Sequence, residues 1–309
     1  MDYDTIASAY LAPPNDHIAT PAATATPARR LRDALEPIAT QGWWSRPAAD
    51  RITALGLGFF DGYVWGRAAA LGEPAASVVV SAFGVFEPTF LTAVYNQGRA
   101  VATRSDVLAA REDGAAESLS TVLGGAVRAE AGELADVLLT ALDEQDSCAR
   151  PLFSGLRELA TPTDEFARLW RASELVREHR GDGHLAACIS AGLNAAEMNV
   201  LTELWLGYGV GEYSSSRGFG TDACAAGLAS LVEREWVLDH TLSEAGVAAR
   251  TAIEYATDRS QDGLVSSLQV GLADVTSGLD GLIARVDVLS TVLMEARVFP
   301  SDPRKRAAG

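Results

Sequence analysis

Along most of the chain the apolar residues recur at steps of three and four, the spacing that places them on one side of an α-helix. The step is plainest over residues 262–298, where Leu264, Leu268, Leu272, Leu279, Leu282, Val286, Leu289 and Leu293 follow one another in register. That segment predicts one or two amphipathic C-terminal helices, suited either to a homodimer contact or to packing back on the rest of the chain. Nearer the N-terminus, ARRLRDALEPIATQG from Ala28 predicts a short helix stopped near Pro37 and Gly42, and Ser45 is placed to cap the next one. Gly58, Gly62 and Gly66 then fall at i, i+4 and i+8 and leave one helix face bare. Each glycine costs about 0.5–1 kcal/mol relative to alanine, so the close approach of another helix or of a ligand is expected there.

The segment around Gly84 reads as two short helices, the second opening at Glu87 and Pro88. Residues 105–146 form a long helical stretch divided at Gly124 and Gly125. Residues 147–163 read as a linker, with Thr163 or Asp164 capping the next helix. From there an apolar stripe runs through Phe166, Leu169, Trp170, Leu175 and Val176 to Gly181-Asp182-Gly183, which predicts a sharp reversal between two helices. Asn194 and Glu197 fit a capping box, and a glycine-rich stretch, YGVGEYSSSRGFG, precedes a helix capped at Thr221 or Asp222. The only strand-like piece is a short hairpin after LVEREWV. The fold class is therefore mostly α with a small β wing. Its expected divisions are an arm at 1–28, a helical N-terminal domain at 29–146, the linker at 147–163, a winged-helix-like domain at 164–260, C-terminal helices at 261–298 and a tail at 299–309.

Composition narrows the function classes. The 309 residues are 48% apolar and 21% charged, as in globular proteins, and the net charge of −16 repels a phosphate backbone over much of the surface. Of 25 basic residues only Lys305 is lysine. It lies in a polar tail expected to fray, which argues against a buried Schiff-base lysine. The arginine bias, with abundant alanine and glycine, points to a GC-rich, actinobacterial genome. Cys148, Cys188 and Cys224 follow no metal spacing and read as small buried hydrophobes. No apolar run approaches the ~20 residues of a membrane span, so a cytoplasmic protein is expected.

Candidate chemistry centres on two of the four histidines, His179 and His184, on either side of the predicted turn. With Glu178 and Asp182 beside them, they suit buried structural histidines, substrate binding or acid/base work, or metal or haem ligation. In the acid/base reading His184 or His179 acts, Asp182 or Glu178 orients it, and Arg67 or Arg180 anchors an anionic group of a small-molecule substrate. Tyr63, Trp65, Phe83 and Phe86 would line the same pocket. Neither HExxH nor GxSxG is present, and the glycines at 207–211 follow a helix rather than a strand, so no metal, serine nucleophile or nucleotide is assigned. His17 reads as a solvated residue of the arm.

The order helix, helix, LVEREWV, hairpin and then Leu242-Ser243-Glu244-Ala245-Gly246 resembles the winged helix of MarR-like regulators, with Ser243 in place of the usual threonine. In addition, GRAAALG at 66–72, FGVFEP at 83–88 and REHRGDGH at 177–184 are similar to an uncharacterised actinobacterial family, some of whose members lie in natural-product gene clusters. The resemblance implies a fold and a context without an activity. A reading helix needs basic or amide side chains, yet TDACAAGLASLVEREWV offers Ser230 and Arg234 among Asp222, Glu233 and Glu235. DNA is thus not the expected partner. The favoured function is a small-molecule-binding protein, leaning towards an enzyme of secondary metabolism, and the alternative is a MarR-type metabolite-responsive regulator.

Overall fold

In the computed structural model, which describes residues 3–11 and 25–308, the N-terminal half is a stack of helices set off by the caps that the sequence places there. Helix α1 spans Pro27–Ala39 and α2 spans Arg46–Ala54 behind the Ser45 cap. Helices α3 (Phe59–Ala68), α4 (Ala76–Phe83) and α5 (Pro88–Val101) come next, with the Glu87 carboxylate accepting from the Phe90 N–H to start α5. The long stretch divides at its two glycines into α6 (Arg104–Leu123) and α7 (Arg128–Asp143). Within residues 147–163 lies α8 (Pro151–Arg157), whose Leu152, Phe153 and Leu156 are buried. His17 and most of the expected arm lie outside the described residues.

The first correction concerns Gly181-Asp182-Gly183, which makes no turn. A single helix, α9, runs unbroken from Glu165 to Ser190 behind the Asp164 cap. The glycine is needed for contact rather than for bending: a Cβ on Gly183 would strike Ser260 Oγ and lie 3.1 Å from Arg150 Nη1. Helix α9 is the spine of the molecule. Its first half, with Phe166, Leu169 and Trp170, is sealed into a core shared with α1, α6 and α7.

From Glu174 onwards it buries charge, so each ion needs a partner placed against it. Glu174 meets Arg111 of α6, Arg177 meets Glu36 of α1 at 3.3 Å, and Glu178 meets Arg67 of α3 at 2.8 Å. Arg180 then meets two acids from later in the chain, Glu254 and Asp258, each at 3.1 Å. The glycine face of α3 answers to the same packing: a Cβ on Gly62 would strike Ile52, and one on Gly66 would strike Arg111.

Beyond α9 come α10 (Ala195–Leu206), a long connection through 207–220, and α11 (Thr221–Glu233). The wing is β1 (Val237–Leu238) paired antiparallel with β2 (Thr241–Leu242). Its two turn residues, Asp239 and His240, both take positive φ (47° and 61°), the tight hairpin form. Helix α12 (Glu244–Arg259) opens on Ser243, and Gly246 lets it start against the Trp236 carbonyl, which a Cβ would strike. Helices α13 (Asp262–Gly271) and α14 (Gly278–Glu295) bury Leu264, Leu268, Leu282 and Leu289 in the core of α1, α7 and α9. The tail does not fray as a polar end would. It forms α15 (Pro303–Ala308), held where Arg306 Nη2 meets Asp287 at 2.8 Å and Asp302 accepts from the Tyr208 hydroxyl at 2.9 Å.

Candidate functional site

Two adjoining cavities open between the N-terminal helices and the winged helix. The outer one measures about 360 Å³ and the inner one about 120 Å³, with Tyr63, Phe86, Arg177, Tyr213 and Arg217 lining both. The wall on the winged-helix side is built largely from the connection between α10 and α11. A helix-turn-helix normally closes this step in three or four residues. Here residues 207–220 fold back as a loop pinned by buried Glu203, whose carboxylate accepts from the N–H groups of Gly211, Tyr213 and Ser214 at 3.0, 2.7 and 2.7 Å. The loop docks on the α4–α5 corner, with Glu87 N–H donating to the Arg217 carbonyl at 2.9 Å. Gly218 permits this, since a Cβ there would overlap Phe90. Asn199 adds a hydrogen bond to the Val85 carbonyl at 2.8 Å.

Of the residues expected to act together, Tyr63, Arg67, Phe83, Phe86, Glu178 and Asp182 line the inner cavity, as does His184. Trp65 is turned into the core, donating to the Ala102 carbonyl at 2.9 Å and packing edge-on against Tyr95. His179 and Arg180 also face elsewhere, because they lie on other sides of the continuous α9. Arg180 belongs to the buried ion group of Glu254 and Asp258, which Arg29 and Arg250 complete. Arg67 is no free anchor: its guanidinium holds Glu178 through bonds of 3.0 and 2.8 Å. That pairing, with Arg177 at 3.1 Å, keeps the Glu178 carboxyl below its usual range although burial opposes it.

The expected histidine–carboxylate pair does not form. His179 Nδ1 lies 2.7 Å from the Gln261 side-chain oxygen, and its ring packs edge-on to Phe153. His184 Nδ1 lies 2.9 Å from Thr257 Oγ1, which itself donates to the Ile253 carbonyl, so Nδ1 carries the proton. The other nitrogen of His184 faces the Cys188 thiol at 3.5 Å. Burial brings His179 down to about 4; burial, then the Arg250 charge, brings His184 down to about 3. Both are neutral imidazoles held by neutral partners. Among the described residues no group of three His, Cys, Asp or Glu side chains could hold a metal ion.

Asp182 differs from every other acid around the cavity. One oxygen accepts from the Phe153 N–H at 3.0 Å, while Oδ1 is buried without a partner. Burial above all raises the carboxyl to about 7. It can exist at neutral pH in either form, and so can donate or accept towards a cavity occupant.

The outer cavity is lined with further rings, Phe59 and Phe60 of the aromatic-crowded glycine helix together with Trp43 and Trp44, whose place here nothing in the sequence signals. It also holds Arg217 and Lys305. Lys305, expected in a loose tail, instead sits 4.9 Å from the Tyr213 ring and 5.0 Å from that of Tyr10. Burial, then Arg217, brings its ammonium down to about 8. Its being the only lysine was the available signal.

A sequence model of a helix-turn-helix family matches residues 28–300. The chain belongs to that family. No curated protein and no solved structure matches it. In this helix-turn-helix protein the usual reading helix, α11, exposes Thr221, Asp222, Ala225, Ala226, Ala229 and Glu233. Arg234, capping its end, turns back to donate to the Gly192 carbonyl at 2.7 Å. No helix among the described residues is long and apolar enough to cross a membrane.

Proposed function

We propose that this helix-turn-helix protein binds a small molecule in the paired cavities, its MarR-like winged helix having given up DNA reading to become one wall of the cleft. The observation that carries the reading is the pinned loop at 207–220, which spends the helix-turn-helix connection on lining a cavity. The aromatic lining with a few convergent polar groups is what ligand sites are made of. Any acid/base step would fall to Asp182, with His184 as a neutral neighbour. The setting we read is the cytoplasm of an actinobacterium and its natural-product metabolism, which would make the protein an enzyme or a ligand carrier.

Two measurements test this together. Small molecules released on denaturing the purified protein are identified by mass spectrometry, and their rebinding is followed through Trp43 and Trp44 fluorescence. Retained ligand and saturable quenching, lost when Ser216→Trp fills the outer cavity, is the expected result. The family match favours one second reading, a metabolite-responsive regulator. A salt-dependent mobility shift on the gene's own promoter, relieved by the ligand released from the protein, would replace the first reading by the second.

A further inference from the structure

Every arginine around α9 that faces the cleft has an acid against it, except one. Arg67 is matched by Glu178 and Arg177 by Glu36. Arg217 has no carboxylate within 4.0 Å among the described residues. Its guanidinium carbon stands 3.6 Å over the Tyr213 ring, one terminal nitrogen donates to the Tyr213 hydroxyl, and its buried Nε lacks any acceptor. Lys305 makes no ion pair within 4.0 Å among the described residues, the neighbouring Asp302 carboxylate being bonded to Arg304 and Tyr208, and its ammonium lies over the same Tyr213 ring. The two cations therefore converge on one tyrosine in a molecule of net charge −16, and among the described residues no carboxylate lies within 4.0 Å of either. Glu36, the acid lining this cavity, is taken by Arg32 and Arg177, both at 3.3 Å.

Like charges brought together without a counterion raise each other's free energy, and an anion between them removes that cost. We infer that the ligand of the outer cavity is an organic anion with a flat aromatic body, its charged group held by Arg217 and Lys305 and its rings against Trp44 and Phe86. The inference rests on the reading of the cleft as a ligand site and adds the chemical class. The body is set by the rest of the wall: an inorganic anion would fill the cationic corner and leave the aromatic part of about 360 Å³ uncovered. Flat rings stack on such side chains at little entropic cost, and guanidinium with ammonium supplies the charge-assisted hydrogen bonds.

Two dyes with one ring system separate the parts of the claim. 8-Anilinonaphthalene-1-sulfonate is N-phenyl-1-naphthylamine carrying a sulfonate, and either can be titrated into the full-length protein by its own fluorescence and by energy transfer from tryptophan. The expected result is that the sulfonate binds at least tenfold more tightly than the neutral dye. Arg217→Gln and Lys305→Gln should each weaken the sulfonate about tenfold and leave the neutral dye unchanged, while Arg217→Lys recovers most of the loss. Ser216→Trp should abolish both.

Equal binding of both dyes, insensitive to the two glutamine variants yet blocked by Ser216→Trp, would overturn the anion and leave the cleft as a ligand site. Inorganic phosphate competing as tightly as the sulfonate dye binds would overturn the aromatic body. Failure of both dyes, or binding indifferent to Ser216→Trp, would remove the cleft reading and this inference with it.

Discussion

Replacing Asp182 by asparagine should stabilise the protein, and increasingly so as pH rises. The side chain is 2% exposed, one oxygen is satisfied by the Phe153 N–H and the other meets nothing. Asparagine keeps the size and can still accept from Phe153. A carboxyl ionising at 3.8 in the unfolded chain and about 7 in the folded one binds its proton more tightly when folded. Its stabilising contribution is present below 3.8 and is lost as pH rises through 7. At 1.36 kcal/mol per pH unit over that window, the wild type forfeits roughly 4 kcal/mol by pH 8, against less than half as much at pH 5. Asp182→Asn forfeits none of it. Urea unfolding of both proteins from pH 5 to 8 measures the gap, which should widen by about 2–3 kcal/mol across the series. A gap that stays flat, or narrows, would refute the assignment of a neutral, desolvated carboxyl. A residue that costs stability while lining a cavity is one retained for use, so the stabilised variant should also bind its ligand less well.

The histidines act with the opposite sign. His179 takes its proton at 6.5 when unfolded but only at about 4 when folded, so stability present above pH 6.5 is lost as pH falls towards 4; His179→Gln, tested by urea unfolding, should flatten that limb. Arg67→Met leaves Glu178 short of its main partner and should cost about 3–5 kcal/mol in thermal or urea unfolding, with Arg67→Met/Glu178→Leu recovering most of it. Glu203→Gln puts an amide N–H against backbone donors, so it should cost about 1–3 kcal/mol and speed hydrogen exchange at the Tyr213 and Ser214 amides well before the α9 core opens; unchanged exchange there would show that the loop is held by other contacts.

The helices were legible because caps and period are local signals. Ser45, Glu87, Asp164, Asn194 and Ser243 all cap in the structure. The break at Gly84 and the pairing of Phe83 and Phe86 with Tyr63 and Arg67 were also in reach, because unusual residue types cluster there. Gly181-Asp182-Gly183 misled because glycine serves two ends, positive φ and close approach, and a single sequence does not say which. Once α9 runs straight, residues 178–184 fan around its axis, and Glu178, Gly181, Asp182 and His184 face the cavity while His179 and Arg180 do not. The roles of the loop at 207–220 and of Lys305 were not legible for another reason: they depend on partners far along the chain, Glu203 with Glu87 for the one and Tyr10 with Tyr213 for the other.

The same distance between residue type and direction decides what this winged helix can do. A count of arginines within residues 195–258 would leave room for a DNA reader, since Arg217, Arg234 and Arg250 all lie there. Their directions favour the proposed cleft instead. Arg250 is buried against Glu254, Arg234 closes the end of α9, and Arg217 is carried into the cleft by the connection that would otherwise hold the two helices at reading distance. Outward on α11 and the wing are alanines, Thr221, Val232, Leu238, His240 and the acids Asp222, Glu233 and Asp239, with no arginine or lysine among them. Restoring a basic stripe there, for example by Ala225→Arg with Ala229→Arg, would add phosphate contacts without touching the core, yet the loop at 207–220 would still separate α11 from α10 by a wall built for something else. Helix α11 so modified should gain salt-sensitive, sequence-indifferent affinity for duplex DNA and leave dye binding in the cleft unaltered. Sequence preference in that variant would mean that the reading geometry survives intact, and the conversion argued for this fold would then be wrong.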